Sequence, residues 1–227
     1  MAAPEMGGRM PFFYTPEGRL IQVEMALQAV GHGSTTLGLK TKDFAVLSSQ
    51  VKPTRSLLEP AEKVFVIDDH VGATGSGYIG DLNTLVDEVR VAAQRHRLVY
   101  DTPVDVGTLS RGLSQYLHSF TMYTVRPFGA SIIFAGVDNL GIQLVQVDPS
   151  GTPFRGSGFA IGQYADEALE VVKAGYRPDL TLEEAVALNT RAIESGNGGK
   201  SQIEHGVVRS ETRRFERLPL NGGAVGG

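Results

Sequence analysis

The order in which helical and extended segments follow one another restricts the fold of this chain more than any single motif does. A helix-period run over residues 21–30, with Leu20, Val23, Leu27 and Val30 at helical spacing, is followed by the extended stretches "TTLGLKT" and "FAVLSSQV". "KVFVIDDHVGATGSG" then reads as two further strands turning at Asp68 and Asp69. Two helices come next: "DLNTLVDEVRVAAQRHRLV", with Leu82, Leu85, Val86, Val89 and Ala93 on one face, and a second over residues 106–120. The second half repeats the theme with strands "ASIIFAGVD" and "GIQLVQVDPSG" and a third ending at "FAIG". The helix "QYADEALEVVKAG" stops at Gly175 with Pro178 beyond it, and "LEEAVALNTRAIE" carries a Thr181/Glu184 capping box. A Gly-rich linker over residues 195–200 leads to two short strands, "SQIEHGVVRS" and "RRFERLP". Blocks of strands separated by blocks of helices are not the βαβα alternation of a parallel sheet. They predict an α+β fold: two antiparallel sheets face to face, with helix pairs outside.

Composition removes several classes of function. With 21 basic against 25 acidic residues and a pI of about 5.7, the chain has no electrostatic footprint for nucleic acid. It has no cysteine, so disulfides, thiolate metal sites and a cysteine nucleophile are excluded, which suits a reducing compartment. The five histidines lack metal-ligand spacing, so no metal and no cofactor is expected. No stretch reaches the ~18 continuous apolar residues of a membrane span. The first residues lack the basic start and apolar core of a secretory signal, and a cytoplasmic location is the resulting expectation.

Two local patterns suggest chemistry. In "GHGSTTLGLKTKD" three hydroxyls follow Gly33, and cleavage before Ser34 would free an N-terminal hydroxyl amino acid, one known form of activated nucleophile. The same residues also suit the start of a β-strand. In "GATGSGYIGD", Gly75, Gly77 and Gly80 have the G-x-G-x-x-G spacing of a dinucleotide site between a strand and a helix, with Asp101 about 20 residues further on. Glycines that let a strand and a helix pack closely would produce the same pattern.

Along its length the chain resembles the α-type subunits of proteasome core particles, most closely those of archaeal type. "YTPEGRLIQVEMA", "GSTTLGLK", "EKVFVIDDH", "VRPFGASIIFAGVD", "DPSGTPFRGSGFAIG" and "LTLEEAVAL" carry the resemblance in order, from about Arg9 to Leu218. It implies the N-terminal nucleophile hydrolase fold, a four-layer αββα sandwich, and one subunit domain over residues 15–218 between flexible tails at 1–14 and 219–227. It makes Gly75, Gly77 and Gly80 a strand-to-helix junction.

The resemblance also places Ser34 where the catalytic β-type subunits of this threonine-protease complex carry their nucleophilic Thr. Gln50 then falls at the acidic position and Lys63 at the Lys position. Gln cannot supply the negative charge, and α-type subunits retain the preceding helix, so the implied chain is non-catalytic. Its implied partners are other α-type subunits in a seven-membered ring, β-type subunits beneath, and an ATPase activator ring. Lys63 matches the lysine of the activator pocket, and Gly77 the small residue beside it. At the gate, Arg9 and Pro16 match the family, whereas Gly7, Gly8 and Met25 stand where it carries Tyr, Asp and Tyr. Burial of the apolar face of residues 20–30 is expected from the neighbouring subunit.

Overall fold

A computed structural model describes residues 14–52, 57–123, 126–197 and 201–219. In chain order these form α1 (Ile21–Gly31), β1 (Thr36–Lys40), β2 (Phe44–Val51), β3 (Val64–Asp68), β4 (Val71–Gly77), α2 (Ile79–Tyr100) and α3 (Val106–Tyr123). There follow β5 (Ala130–Asp138), β6 (Gly141–Val147), β7 (Pro153–Arg155), β8 (Gly158–Ile161), α4 (Ala165–Gly175), α5 (Leu182–Asn197), β9 (Gln202–Arg209) and β10 (Phe215–Leu218).

The strands form two five-stranded antiparallel sheets, ordered β10-β9-β2-β1-β8 and β3-β4-β5-β6-β7. Helices α4 and α5 cover the first sheet, with Ala168, Val172, Leu188 and Ile193 packed on Leu37, Leu39 and Val207. Helices α2 and α3 cover the second through Leu82, Leu85, Leu113 and Leu117. A third apolar cluster, including Leu47, Ile133, Leu144 and Val208, fills the space between the sheets. This is the αββα sandwich. Because the sheets are covered on both faces, β5 is buried at all nine positions and its sequence is a near-continuous apolar run.

Thr181 and Glu184 cap α5 reciprocally: the Thr181 N–H donates to Glu184 Oε2 at 2.9 Å and the Glu184 N–H to Thr181 Oγ1 at 3.2 Å.

The structure departs from the sequence reading in four places. The predicted third strand of the second half is two strands in different sheets. The Gly156 N–H donates to Leu144 O at 3.4 Å in one sheet, and the Lys40 N–H to Ser157 O at 2.8 Å in the other, so the chain crosses the sandwich between those residues. The linker expected at 195–200 begins later, since α5 continues through Asn197. Tyr14, assigned to the tail, faces Leu20 in an isolated bridge. Finally, the apolar face of α1 is largely covered by its own chain: Val23, Ala26 and Val30 are buried, whereas Met25 (53% exposed) and Leu27 (38%) point outward.

Candidate functional site

Helix α1 lies across the end of the sandwich where β1, β4 and β8 meet, and close backbone approach fixes it there. The Ser76 hydroxyl donates to Val30 O at 3.1 Å and to Ser34 O at 2.9 Å, tying the helix end to β4. A Cβ at Gly33 would lie 2.1 Å from Ser76 Oγ and 2.4 Å from Gly77 N, so only glycine allows the contact. The Gln163 N–H donates to Gly33 O at 3.1 Å, and the Thr35 hydroxyl to Gln163 O at 2.6 Å. Ser34 is consequently 3% exposed, with its amine in a peptide bond.

Among the described residues no base is placed to activate Ser34. Gln50 donates through Nε2 to Ser201 Oγ at 3.2 Å, and among the described residues neither Gln50 nor Lys63 hydrogen-bonds to Ser34. The Thr36 hydroxyl bonds to Ser49 Oγ at 2.7 Å and reaches Ser34 O at 3.1 Å, so the other hydroxyls serve the buried strand.

The dinucleotide pattern is not a loop. Gly75 and Gly77 lie within β4, paired with Ile132 and Ala130 of β5, and a Cβ at Gly75 would meet Leu82 Cδ1 at 2.4 Å and Ser131 O at 2.6 Å. Gly80 sits in the first turn of α2. Asp101 is the left-handed C-cap of α2, with φ of 54°, and not the end of a second strand. These glycines serve strand-to-helix packing, and no phosphate cradle forms.

At the same end of the sandwich, Lys63 enters β3. Its N–H and that of Val64 both donate to Glu204 Oε2, at 2.9 and 3.0 Å, and its carbonyl accepts from Thr74 Oγ1 at 2.7 Å. Burial holds the Lys63 amine below its ordinary pKa, nearby Lys52 lowers it further, and Glu204 acts in the opposite direction. Lys52 itself donates to His32 O at 3.2 Å. A half-desolvated ammonium beside a second cation favours an incoming anion. Gly77, three residues past Thr74, the partner of Val64, has φ of 121°, and a Cβ there would lie 2.0 Å from Gly129 O. Its glycine is required by packing.

Between α1 and the start of α2 runs a groove of about 770 Å³ lined by Met25, Ala26, Ala29, Tyr78 and Ile79. Its rim is set by an ion pair absent from the sequence reading. Arg126 donates to both Asp81 oxygens, at 2.7 and 2.8 Å, and the Gly129 N–H donates to the same carboxylate at 2.7 Å. The Arg126 hydrogen bonds hold the Asp81 carboxyl below the usual carboxylate range. The two residues are far apart in sequence, and no local pattern pairs them.

Of the positions expected at a gate, Gly7, Gly8 and Arg9 lie outside the described residues. Pro16 occupies the second position of a turn in which the Gly18 N–H donates to Thr15 O at 2.8 Å, with Gly18 at φ of 78°. Met25 lies on α1 beside that turn, where Thr15, Arg19 and Met25 line a second hollow of about 460 Å³. Among the described residues no helix is long and apolar enough to cross a membrane, and no group of three or more His, Asp or Glu side chains could hold a metal.

The Proteasome subunit family profile matches residues 30–208. Among curated proteins, the chain is 38% identical over 223 residues to a protein of Methanosarcina acetivorans named "Proteasome subunit alpha", covering 95% of this chain and 90% of that one. A protein of the same name from Methanopyrus kandleri is 41% identical over 214 residues, covering 91% and 87%. One from Methanothermobacter thermautotrophicus is 35% identical over 212 residues, covering 91% and 86%.

Proposed function

Since the chain belongs to the proteasome subunit family, with relatives named as α subunits, we propose that it is the non-catalytic, gating α subunit of a cytoplasmic proteasome core particle. The observation that carries this reading is α1 anchored across the Ser34 end of the sandwich, which buries the one hydroxyl that could have served as a nucleophile. With that end closed, what the subunit offers is surface.

Three surfaces support assembly. The groove beside α1, with exposed Met25, Tyr78 and Ile79, suits a neighbouring α subunit in a ring. Exposed apolar residues along α2, namely Val91, Leu98 and Val99, suit a ring of β-type subunits. The Lys63 amine suits the terminal carboxylate of an ATPase activator, and Gly77 stands at the position of the small residue beside that pocket. The N-terminal residues, with Arg9 and the Pro16 turn, form the gate. Gly7, Gly8 and Met25 lack the side chains for a Tyr-Asp cluster, so the apolar bulk of Met10, Pro11, Phe12 and Phe13 takes its place in obstructing the pore.

Intact mass measurement of the mature chain from assembled particles tests the non-catalytic assignment. The N-terminus should be retained through Gly33. A chain beginning at Ser34, with peptidase activity lost in Ser34→Ala, would overturn it.

A further inference from the structure

The end of the sandwich opposite Lys63 holds a cleft of about 710 Å³, within the usual size of small-molecule sites. It is enclosed by the β3–β4 turn, the last turn of α2 and the segment after it, the β5–β6 turn and the β9–β10 turn.

Three carboxylates, Asp69, Asp105 and Asp138, and three arginines, Arg97, Arg213 and Arg214, line it. Arg97 is committed to Asp68 at 2.8 Å and Asp69 at 3.5 Å. Asp138 accepts the N–H groups of Leu140 at 2.9 Å and Val106 at 3.3 Å. Arg213 and Arg214, by contrast, are exposed and form no ion pair among the described residues. Arg213 is held at φ of 51°, a left-handed conformation that a residue with a Cβ adopts infrequently. The same cleft presents an aromatic wall. His96 and Tyr100 stand 4.6 Å apart, His96 Nδ1 bonds to Thr102 O at 3.2 Å, and Tyr100 is 65% exposed.

Guanidinium groups present planar forks of donors that match phosphate oxygens, and an exposed aromatic ring offers a stacking face to a base. We propose that this cleft binds a nucleotide, its phosphates on Arg213 and Arg214 and its base against Tyr100. The site is remote from Gly75, Gly77 and Gly80 and needs neither ring assembly nor an activator.

The test is calorimetric titration of the isolated full-length chain with ADP, with tripolyphosphate and adenosine as separate arms. The wild type should bind ADP saturably with Kd below about 1 mM, and more weakly as salt rises. The double variant Arg213→Gly, Arg214→Ser should bind ADP at least about tenfold more weakly. Glycine suits the φ at position 213, so this variant keeps its fold, which a thermal melt verifies. Tyr100→Ala should weaken ADP and leave tripolyphosphate unchanged. Absence of saturable ADP binding, or equal ADP affinity in the double variant, would overturn the proposal. Tripolyphosphate binding as tight as ADP, with Tyr100→Ala without effect on either, would overturn the assignment to nucleotides.

Discussion

Arg126 grips the Asp81 carboxylate with two hydrogen bonds of 2.7 and 2.8 Å, joining the segment that leads into β5 to the first turn of α2 at the rim of the groove beneath α1. Asp81 is 8% exposed, so removing the guanidinium leaves a buried carboxylate with the Gly129 N–H as its remaining charge-stabilising contact. Arg126→Ala should destabilise the isolated chain by about 1 to 2 kcal/mol at pH 7, the lower end reflecting the solvent exposure of the Arg side chain. The Asp81 carboxyl is depressed in the fold, so its contribution is present above the ordinary carboxylate range and fades as the pH falls through the folded value. Urea unfolding of both proteins should therefore show a gap at pH 7 that closes toward pH 3. A gap independent of pH would mean that Arg126 acts through packing alone.

His205 supplies a second acid sensitivity, which sets in at higher pH. Its Nδ1 lies 2.9 Å from Ser48 Oγ, which accepts from Asn189 Nδ2 at 2.9 Å, and burial lowers the imidazole pKa from 6.5 to about 4. Below pH 6.5 the unfolded chain takes up a proton that the folded chain refuses, so stability falls between about pH 6.5 and 4. The loss is on the order of 1 to 3 kcal/mol, because the ring is partly reached by solvent. His205→Gln, which keeps a polar group near Ser48, should flatten that part of the stability profile. Superimposable profiles for the two proteins would contradict the assignment.

Lys63 separates stability from docking. Because burial and Lys52 disfavour its charged form in the fold, Lys63→Met should leave the stability of the chain unchanged or raise it. On the proposed docking role, stimulation of assembled particles by an ATPase ring should nevertheless fall at least about tenfold, since each terminal carboxylate would lose its cation. Unstimulated peptide hydrolysis is the control. Equal stimulation of both particles would remove Lys63 from the docking pocket.

Gly77 cannot be used in the same way. With φ of 121° and Gly129 O standing 2.0 Å from where a Cβ would be, Gly77→Ala should cost about 2 kcal/mol or more and impair folding before it reports on docking. Chemical denaturation of the isolated variant measures this directly, and wild-type stability would show that the β4–α2 junction yields.

Deleting residues 1–12 from the chain should raise peptide hydrolysis by assembled particles several-fold while leaving the isolated subunit's melting temperature unchanged. Unchanged hydrolysis would show that these residues do not obstruct entry.

The block order of helices and strands was legible because each element is long and buried on a defined face, and that order alone excluded a parallel sheet. The crossing between Gly156 and Ser157 was not legible, since β7 and β8 are short and no periodicity marks a change of sheet. Helical spacing in α1 revealed an apolar face but not its cover: Val23 and Val30 are buried within the chain itself, whereas Met25 and Leu27 stay exposed. At the candidate site, Lys63 was singled out only by the family resemblance, whereas Glu204, which accepts its N–H, and the Asp81–Arg126 pair come together only through folding. Pairings of that kind have no local signature.

The central claim is that this chain builds an outer ring and performs no hydrolysis itself. Electron microscopy of particles formed when it is co-expressed with a β-type proteasome subunit tests this most directly. The account predicts stacked rings with this chain, intact through Gly33, in the outer layers around an axial pore. Particles that lack it, or that place a chain shortened to Ser34 in the inner chamber, would contradict the account.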